Sequence, residues 1–485
     1  MKLRLACLRI LFVAVISAVP LAASGEEATP AAATAQAAAA ATEAAPAVVP
    51  LPAEAAATEA KPVDPVLNTG DTAWMLICSA LVLLMIPGLA LFYGGMVRSK
   101  NVLSTMMHSL VAMGIVGVQW AVVGYSLAFA PDVGGGLIGN LSKAMLNGLM
   151  TFKDGTPIYT LFQNVATEPG AVPEYAFAMF QGMFAIITVA LISGALAERI
   201  KFSAYCVFVL LWTTIVYDPL AHWVWMVDGW LFKKGALDFA GGTVVHLSSG
   251  VSALAVLLFL GKRHGFPHER MAPHSLPLTL LGTGLLWFGW YGFNAGSAIA
   301  GVNTSDAAGG LAALAFTTTT IAPAAGGLAW MTAEWIHSGK PSALGFASGV
   351  VAGLVGITPA AGFVQPGSAL IIGLSVGIVC YLGILLKAKL KYDDSLDAFG
   401  IHGIGGIYGA LITGVLATVG ATGLASGNLS QFITQVVAVA AAGAYAFIVT
   451  LVIAFILDKT IGLRVEKEDE IMGLDQTQHS ETAYN

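Results

Sequence analysis

Two histidines lie deep inside apolar, glycine-rich runs of this chain. His246 stands eight residues after Asp238 in DFAGGTVVHLSSG, and His402 stands five residues after Asp397 in DAFGIHGIGG. A neutral imidazole can donate one hydrogen bond and accept another, and an ionisable side chain at bilayer depth usually lines a pathway or pairs with another polar group. The matched surroundings predict that the two histidines share one site, which could pass a hydrogen bond or a proton along a conduit.

The composition indicates what must position these histidines. Of the 485 residues, 57% are hydrophobic and 10% are charged, whereas soluble domains carry about 25% charged residues. This profile is typical of a helical protein that crosses the membrane several times. The net charge of -6, with basic residues scattered through short loops, argues against a nucleic-acid partner.

The first part of the chain has the pattern of a targeting signal. Lys2, Arg4 and Arg9 precede an apolar stretch that ends in small residues, so we predict a signal peptide over residues 1–24. Residues 25–67 are a low-complexity Ala/Pro/Thr/Glu segment, predicted to be extracytoplasmic and disordered, with an Ala-rich helix as the alternative. The protein is therefore expected in the cell inner membrane, with its mature N-terminus outside the cytoplasm.

Apolar runs long enough to cross a bilayer, about 20 residues each, fill the region from 68 to 460. They recur at 73–96, 102–130, 176–197, 202–222, 239–260, 276–298, 308–333, 344–357, 367–386, 399–419 and 431–457. Basic residues concentrate in the loops that this layout places in the cytoplasm, as the positive-inside rule requires. The C-terminus is then cytoplasmic.

The spans also predict an internal duplication. Spans one to five and six to ten form two sets with an odd number of helices, so the second set is inverted relative to the first. Asp238 opens span five from outside, Asp397 precedes span ten from inside, and His246 lies about 12 Å below Asp238 at 1.5 Å per residue. We therefore predict an all-α integral membrane protein with eleven transmembrane helices and an inverted five-helix repeat.

Several long motifs resemble, in the same order, those of the ammonium transporter (Amt/Mep/Rh) family, and most closely its bacterial Amt branch. They are PGLALFYGGMVRSKNVLS from Pro87, FQGMF from Phe180, GALAERIKFSA from Gly194, DFAGGTVVH from Asp238, GWYGFNAGSA from Gly289 and FGIHGIGG from Phe399. The resemblance runs from about Asn68 to the C-terminus. It implies the ammonium-transporter fold, a homotrimer in the lipid bilayer with one pore per subunit, ammonium or ammonia as the transported species, and neither cofactor, metal nor enzymatic activity.

The resemblance also implies roles for single residues. It assigns Phe180, Trp225 and Ser297 to an outer recruitment site, Phe184 and Phe293 to a stacked gate, Asp238 to an essential acid, and His246 with His402 to the pore. An aromatic face attracts a compact cation by about 0.5 to 2 kcal/mol. A serine hydroxyl can accept one of the N–H bonds of ammonium, which a metal ion does not offer.

Each assignment has a structural alternative. Trp225 lies where tryptophan often anchors a protein to the membrane interface, and the three phenylalanines could simply pack. Ser297 could bond a backbone carbonyl. Asp238 is well placed as the N-cap of span five, a role that is compatible with the functional one.

The remaining candidate ligands are assigned to structure. His108 lacks a matching partner in the sequence, and His222 lies near an interface, so we treat both as structural. Three cysteines remain after removal of the signal peptide, all within predicted spans: Cys78, Cys206 and Cys380. We expect them to be core residues, not disulfide partners or metal ligands.

The mechanism follows from the cost of desolvation. A neutral ammonia molecule crosses an apolar pore far more cheaply than an ammonium ion, so we expect deprotonation near the gate and conduction of NH3, with a proton, into the cytoplasm. The alternatives are a passive NH3/CO2 gas channel of the Rh type, an ammonium sensor, or an intramembrane enzyme or haem protein. The last lacks any accompanying HExxH or CxxCH signature.

The tail, residues 461–485, has mixed charges and few apolar residues, a composition that predicts a solvated cytoplasmic end. It also resembles the C-terminal region of the family, which implies a regulatory tail that packs beneath the subunits. That region works with a PII-type nitrogen-regulatory protein at the cytoplasmic face.

Overall fold

The computed structural model describes residues 66–162, 170–300 and 308–484. The predicted signal peptide and nearly all of the low-complexity segment lie outside the described residues. Within the described part, nine segments are long and apolar enough to cross a membrane. The 25-residue helix Leu276–Ala300 and the shorter Ala343–Ile357 complete the pattern of eleven.

The eleven helical segments follow one another with short connections. They are α1 Thr69–Met96, α2 Ser99–Phe129, α3 Glu174–Leu196, α4 (Phe202–Trp212, Thr213–Tyr217 and Asp218–Trp225), α5 Gly242–Leu260, α6 Leu276–Ala300, α7 Ala308–Ser338, α8 Ala343–Ile357, α9 Pro366–Leu390, α10 Phe399–Leu416 and α11 Leu429–Thr460. Helix α1 packs along α6, α7 packs on α8 and α9, and α5 packs on α11. Successive helices leave the bundle at alternate ends.

Side-chain caps fix where three of these helices begin. The Asn68 side chain accepts a hydrogen bond from the backbone N–H of Asp71 at the start of α1. Ser342 caps α8 through the N–H of Gly345, and Asn428 caps α11. Such caps satisfy N–H groups that the first helical turn leaves without partners, so they locate the helix starts more sharply than hydropathy can.

Four π-helical segments interrupt the described helices. They are Trp120–Gly124 in α2, Thr213–Tyr217 in α4, Gly242–Leu247 at the start of α5 and Phe399–Gly403 at the start of α10. A π-helical turn is wider than an α-helical one and often marks a functional site. The segments that begin α5 and α10 contain His246 and His402, so both histidines lie on locally widened helix.

Two small sheets, which were not predicted from the sequence, are formed by the connection between α2 and α3 together with one strand that precedes α1. Strand β1 (Val66–Leu67) pairs in parallel with β5 (Gly170–Pro173), which also pairs with β4 (Leu161–Phe162). Strands β2 (Met150–Lys153) and β3 (Thr156–Tyr159) form an antiparallel hairpin. The strands are short additions to a helical fold.

A cluster of charged side chains connects several helices at the end of the bundle that lies opposite these sheets. Arg98 follows α1, Glu198 follows α3, Arg263 follows α5 and Asp393 follows α9. The Arg263 guanidinium donates to Glu198 at 3.0 Å and to Asp393 at 2.8 Å, and Arg98 contacts Glu198 at 2.9 Å. Burial opposes ionisation of Glu198, but Arg263 and Arg98 outweigh it and hold the Glu198 pKa below its ordinary value. We call these four residues the basal cluster.

The tail is packed against this end of the bundle, contrary to the solvated end that its composition predicts. It forms two short helices, α12 (Lys467–Met472) and α13 (Leu474–His479). The Asp475 carboxylate accepts the backbone N–H of Ser104 at 2.8 Å, and Leu474 N–H donates to Asn101 Oδ1 at 2.8 Å. An acid of the tail thereby caps the first turn of α2.

Candidate functional site

A cavity of about 230 Å³ lies at the end of the bundle opposite the basal cluster. We call it the vestibule. Its lining includes Phe177, Gln181, Phe184, Trp225, Asp238 and Ser297. Aromatic faces combined with a few polar groups are suited to a small cation, because the ring faces carry negative potential and the oxygens accept hydrogen bonds.

The three residues predicted to form the recruitment site take different positions. Trp225 and Ser297 line the vestibule, whereas Phe180 is not among its lining residues. Phe180 is fully buried and packs on Gly296, where a Cβ atom would lie 2.7 Å from its ring. Its ring centroid is 4.9 Å from that of Phe184, so in this structure Phe180 supports the wall behind the cavity.

The polar atoms of Trp225 and Ser297 already have partners. Trp225 Nε1 donates to the backbone oxygen of Asp238 at 3.0 Å, which holds the indole in place. The Ser297 hydroxyl donates to the carbonyl of Phe293 at 2.9 Å, the bond that the structural alternative predicted. A hydroxyl that donates a hydrogen bond still has oxygen lone pairs, so Ser297 can also accept a hydrogen bond.

Phe184 and Phe293 separate the vestibule from a second, narrower cavity. Their rings stack with centroids 4.1 Å apart and planes 26° apart. Phe184 lines the vestibule, and Phe293 lines the second cavity. The stacked pair therefore has one ring at each of the two cavities.

The second cavity, which we call the pore, has room for about one water molecule. Its volume is about 10 Å³, close to the minimum that a water molecule needs. His246 and His402 line it, and its other lining residues are aliphatic, aromatic or methionine. The two Nδ1 atoms are 3.3 Å apart, and Trp290 stacks on His246 with ring centroids 5.3 Å apart. One imidazole must donate and the other accept, so the two rings carry different tautomers.

Asp238 holds the start of α5 with both of its carboxylate oxygens. It accepts four backbone N–H groups, from Gly241 at 2.9 Å, Gly242 at 2.6 Å, Thr243 at 2.9 Å and Val244 at 3.0 Å. Hydrogen bonds to an ionised carboxylate are stronger than neutral ones. Asp238 is thus an N-cap, and it also positions Trp225 through its backbone oxygen.

The inverted repeat pairs Asp238 with Asp394, not with Asp397 as the sequence analysis predicted. Asp394 accepts the N–H groups of Ala398 at 3.1 Å and Phe399 at 2.8 Å. It stands eight residues before His402, the same spacing that separates Asp238 from His246. The Asp397 carboxylate instead forms an ion pair with Lys387, so the pairing with Asp397 was wrong.

A glycine four residues after each histidine allows the two half-sites to meet. A Cβ atom on Gly250 would overlap the backbone of Gly403, and one on Gly406 would overlap the backbone of Leu247. Without side chains at these two positions, α5 and α10 cross in backbone contact. This close approach brings His246 and His402 within hydrogen-bonding distance.

Known proteins resemble this chain over most of its length. The sequence model of the Ammonium Transporter Family matches residues 73–484. An ammonium transporter of Bacillus subtilis is 49% identical over 428 residues, which cover 86% of this chain and 99% of that protein. The chain belongs to the ammonium transporter family.

Other members extend the similarity. Ammonium transporter Amt1 of Archaeoglobus fulgidus is 46% identical, over 86% of this chain and 100% of its own. The crystal structure of Saccharomyces cerevisiae Mep2 superposes with a TM-score of 0.73 at 36% identity, covering 83% of this chain and 88% of Mep2. A sensor Amt protein superposes with a TM-score of 0.74 at 29% identity, covering 84% of this chain and 98% of its own. As a member of this family, the chain is an all-α integral membrane protein of a transporter class and not an enzyme.

The histidines and cysteines assigned to structure have identifiable surroundings. Among the described residues, no group of three or more His, Cys, Asp or Glu side chains could hold a metal ion. His108 is buried against Tyr205, with ring centroids 4.4 Å apart, and His222 contacts Asp132 at 3.2 Å. Cys78 and Cys380 are buried free thiols, whereas Cys206 is a free thiol that is only half-buried, so the prediction of a core position was wrong for Cys206.

Several residues that line the vestibule were not predicted from the sequence, and Gln181 is the polar one among them. The signal was present, because Phe177, Gln181 and Phe184 recur at helical spacing on one face of α3. The role in the recruitment site was assigned to the adjacent Phe180 instead.

Proposed function

We propose that this protein is an ammonium transporter that recruits NH4+ in the vestibule, deprotonates it at the phenylalanine pair and conducts NH3 through the pore into the cytoplasm. The observation that carries the proposal is the contrast between the two cavities. The vestibule offers aromatic faces and acceptor oxygens, whereas the pore has room for about one water molecule and is lined by apolar side chains and two imidazoles. An ion would lose its hydration there without replacement.

Recruitment rests on Trp225 and Ser297. The indole of Trp225, held by its bond to Asp238, presents a ring face worth about 0.5 to 2 kcal/mol to a cation. The Ser297 oxygen accepts one N–H bond of ammonium. The ring face attracts any compact cation, whereas the serine oxygen needs a cation that brings N–H donors, which favours ammonium over an alkali-metal ion.

Conduction rests on the phenylalanine pair and the two histidines. The stacked rings of Phe184 and Phe293 close the path to hydrated ions, and the substrate gives its proton to a water molecule on the vestibule side. Beyond the rings, the hydrogen-bonded His246–His402 pair gives ammonia a donor and an acceptor along an otherwise apolar path. It can also relay a proton, so we propose that net transport carries charge.

Two alternative functions use much of the same architecture. A passive NH3/CO2 channel would need the same apolar pore but would move no charge. A sensor would bind ammonium in the vestibule without turnover. The chain is 46% identical to the Amt1 transporter and 29% identical to the sensor Amt protein, which supports transport.

Current recordings on proteoliposomes distinguish these functions. We expect an ammonium pulse to produce a saturable current that carries positive charge into the liposomes, with none from a potassium pulse or from protein-free liposomes. A rise of internal pH without current would identify a gas channel. Ammonium binding with neither current nor a pH change would identify a sensor.

We further propose a homotrimer in the inner membrane whose basal cluster and tail face the cytoplasm, where a PII-type nitrogen-regulatory protein binds. The family resemblance and the concentration of basic residues in the loops at this end support the orientation. The contacts of α12 and α13 support a regulatory tail, because they connect it directly to the first turn of α2 and to the α5–α6 loop, where Glu470 accepts the N–H of His264.

Deleting the chain after Leu463 should reduce ammonium transport several-fold and weaken binding of a cognate PII protein, while the spans stay folded. The deletion removes the Asp475 cap of α2 and the Glu470 contact with the α5–α6 loop. Transport currents, PII binding by calorimetry and thermal unfolding test this. Replacing the exposed Glu468 with Gln is the control and should change none of the three. A truncated protein with full transport and an unchanged PII response would rule out a regulatory tail.

A further inference from the structure

Gln181 lies on the face of α3 that lines the vestibule. Phe177, Gln181 and Phe184 are spaced by four and three residues, so their side chains project from one side of the helix, and all three line the cavity. The neighbouring Phe180 projects elsewhere and packs on Gly296. Gln181 is therefore an amide placed among the aromatic walls of the vestibule.

The amide oxygen of Gln181 has no hydrogen-bond partner among the residues that the structure describes. The side chain is 6% exposed, and its Oε1 atom is buried. A buried acceptor without a partner is costly, and such groups in native proteins usually serve a bound water, an ion or a ligand. A half-turn about the last side-chain torsion exchanges the amide oxygen and nitrogen, so Oε1 can take either of the two positions at the end of this cavity-lining side chain.

The other side-chain oxygens of the vestibule supply fewer hydrogen-bond acceptors than an ammonium ion can use. Both Asp238 oxygens are occupied by the backbone N–H groups of α5. Ser297 gives its hydrogen to Phe293 and presents lone pairs. An ammonium ion has four N–H bonds, of which Ser297 takes one and the face of Trp225 can take another.

We propose that Gln181 Oε1 accepts a second N–H bond of the cation in the vestibule, which makes Gln181 a binding and specificity residue for ammonium and primary alkylammonium ions. This inference rests on the proposed function. Two neutral oxygens and aromatic walls match a cation that brings its own hydrogen-bond donors. They are too few to replace the hydration shell of potassium, so a neutral amide at this position favours ammonium over an alkali ion.

Gln181→Leu tests the acceptor, because leucine fills a similar volume without an oxygen. In proteoliposomes, we expect the apparent KM for ammonium to rise about tenfold, equivalent to about 1.4 kcal/mol of binding free energy, with the maximal current retained. The dissociation constant for methylammonium, followed by tryptophan fluorescence of the purified protein, should rise by a similar factor. Met183→Leu, a half-buried position on the same helix that does not line the cavity, should change neither value.

Gln181→Glu and Gln181→Asn keep the test informative if the leucine variant does not fold. The glutamate adds a charge, so we expect tighter cation binding and new inhibition by potassium. The asparagine withdraws the oxygen by one methylene group and should raise KM and the dissociation constant by a smaller factor than leucine. Unchanged methylammonium binding and no potassium inhibition in the variants that fold would overturn the proposal, as would a loss of maximal current with unchanged binding. Failure of the proposed function would differ, because the unmodified protein would then show no ammonium current.

Discussion

Replacing Asp238 with alanine is expected to abolish ammonium transport, by about a hundred-fold or more, while the helical bundle stays folded. A hundred-fold loss corresponds to about 2.7 kcal/mol. The carboxylate accepts four backbone N–H groups at the start of α5, and bonds to charged groups are worth about 1.5 to 3 kcal/mol each. Without them the π-helical start of α5 should loosen and displace the backbone oxygen of residue 238, to which Trp225 Nε1 donates.

Transport currents, size-exclusion chromatography and circular dichroism measure this result. Asp238→Asn is the informative companion, because its amide keeps the shape of the side chain but turns a donor toward backbone N–H groups that need an acceptor. We expect it to be nearly as inactive as the alanine variant. Wild-type currents in either variant would show that the carboxylate is dispensable for transport.

Replacing His246 or His402 with alanine should lower ammonium transport about tenfold or more, or let potassium pass. Either change breaks the Nδ1–Nδ1 hydrogen bond and removes an imidazole from a pore with room for about one water molecule. The enlarged space can admit further water, and a hydrated path lowers the cost of an ion. Paired recordings of ammonium and potassium currents would show the change in selectivity.

His108→Ala is a matched control for the histidine variants. His108 is buried in α2, and it does not line the pore. We expect its replacement to leave the ratio of ammonium to potassium current unchanged. If both pore variants kept the selectivity of the unmodified protein, the two histidines would not act as a pair.

Hydropathy predicted the spans because a helix in a membrane must satisfy its backbone internally and cover itself with apolar side chains. The short span predicted at 344–357 is α8, Ala343–Ile357, and the last span differs from α11, Leu429–Thr460, by two or three residues at each end. The π-helical segments were not predictable in this way, because periodicity arguments assume a regular helix. Strands of two to four residues are likewise too short to show an alternating pattern.

The site was predictable as far as sequence spacing determines geometry. The shared setting of His246 and His402 predicted one site, and the structure places their Nδ1 atoms 3.3 Å apart. The choice between Asp394 and Asp397 needed the tertiary structure, because three acids lie within the five residues DDSLD and only their backbone path decides which one caps α10. The roles of Phe180 and Gln181 differ for the same reason, since α3 turns one toward Gly296 and the other toward the vestibule.

The docked tail also sets an order of events during synthesis. Its bonds to Ser104 and Asn101 join residues 371 and 373 positions apart, and a chain emerges from the ribosome with its N-terminal part first. The first turn of α2 therefore has no cap until Leu474 and Asp475 have been translated. The start of α2 thus lacks these two partners for most of translation and gains both of them when α13 docks.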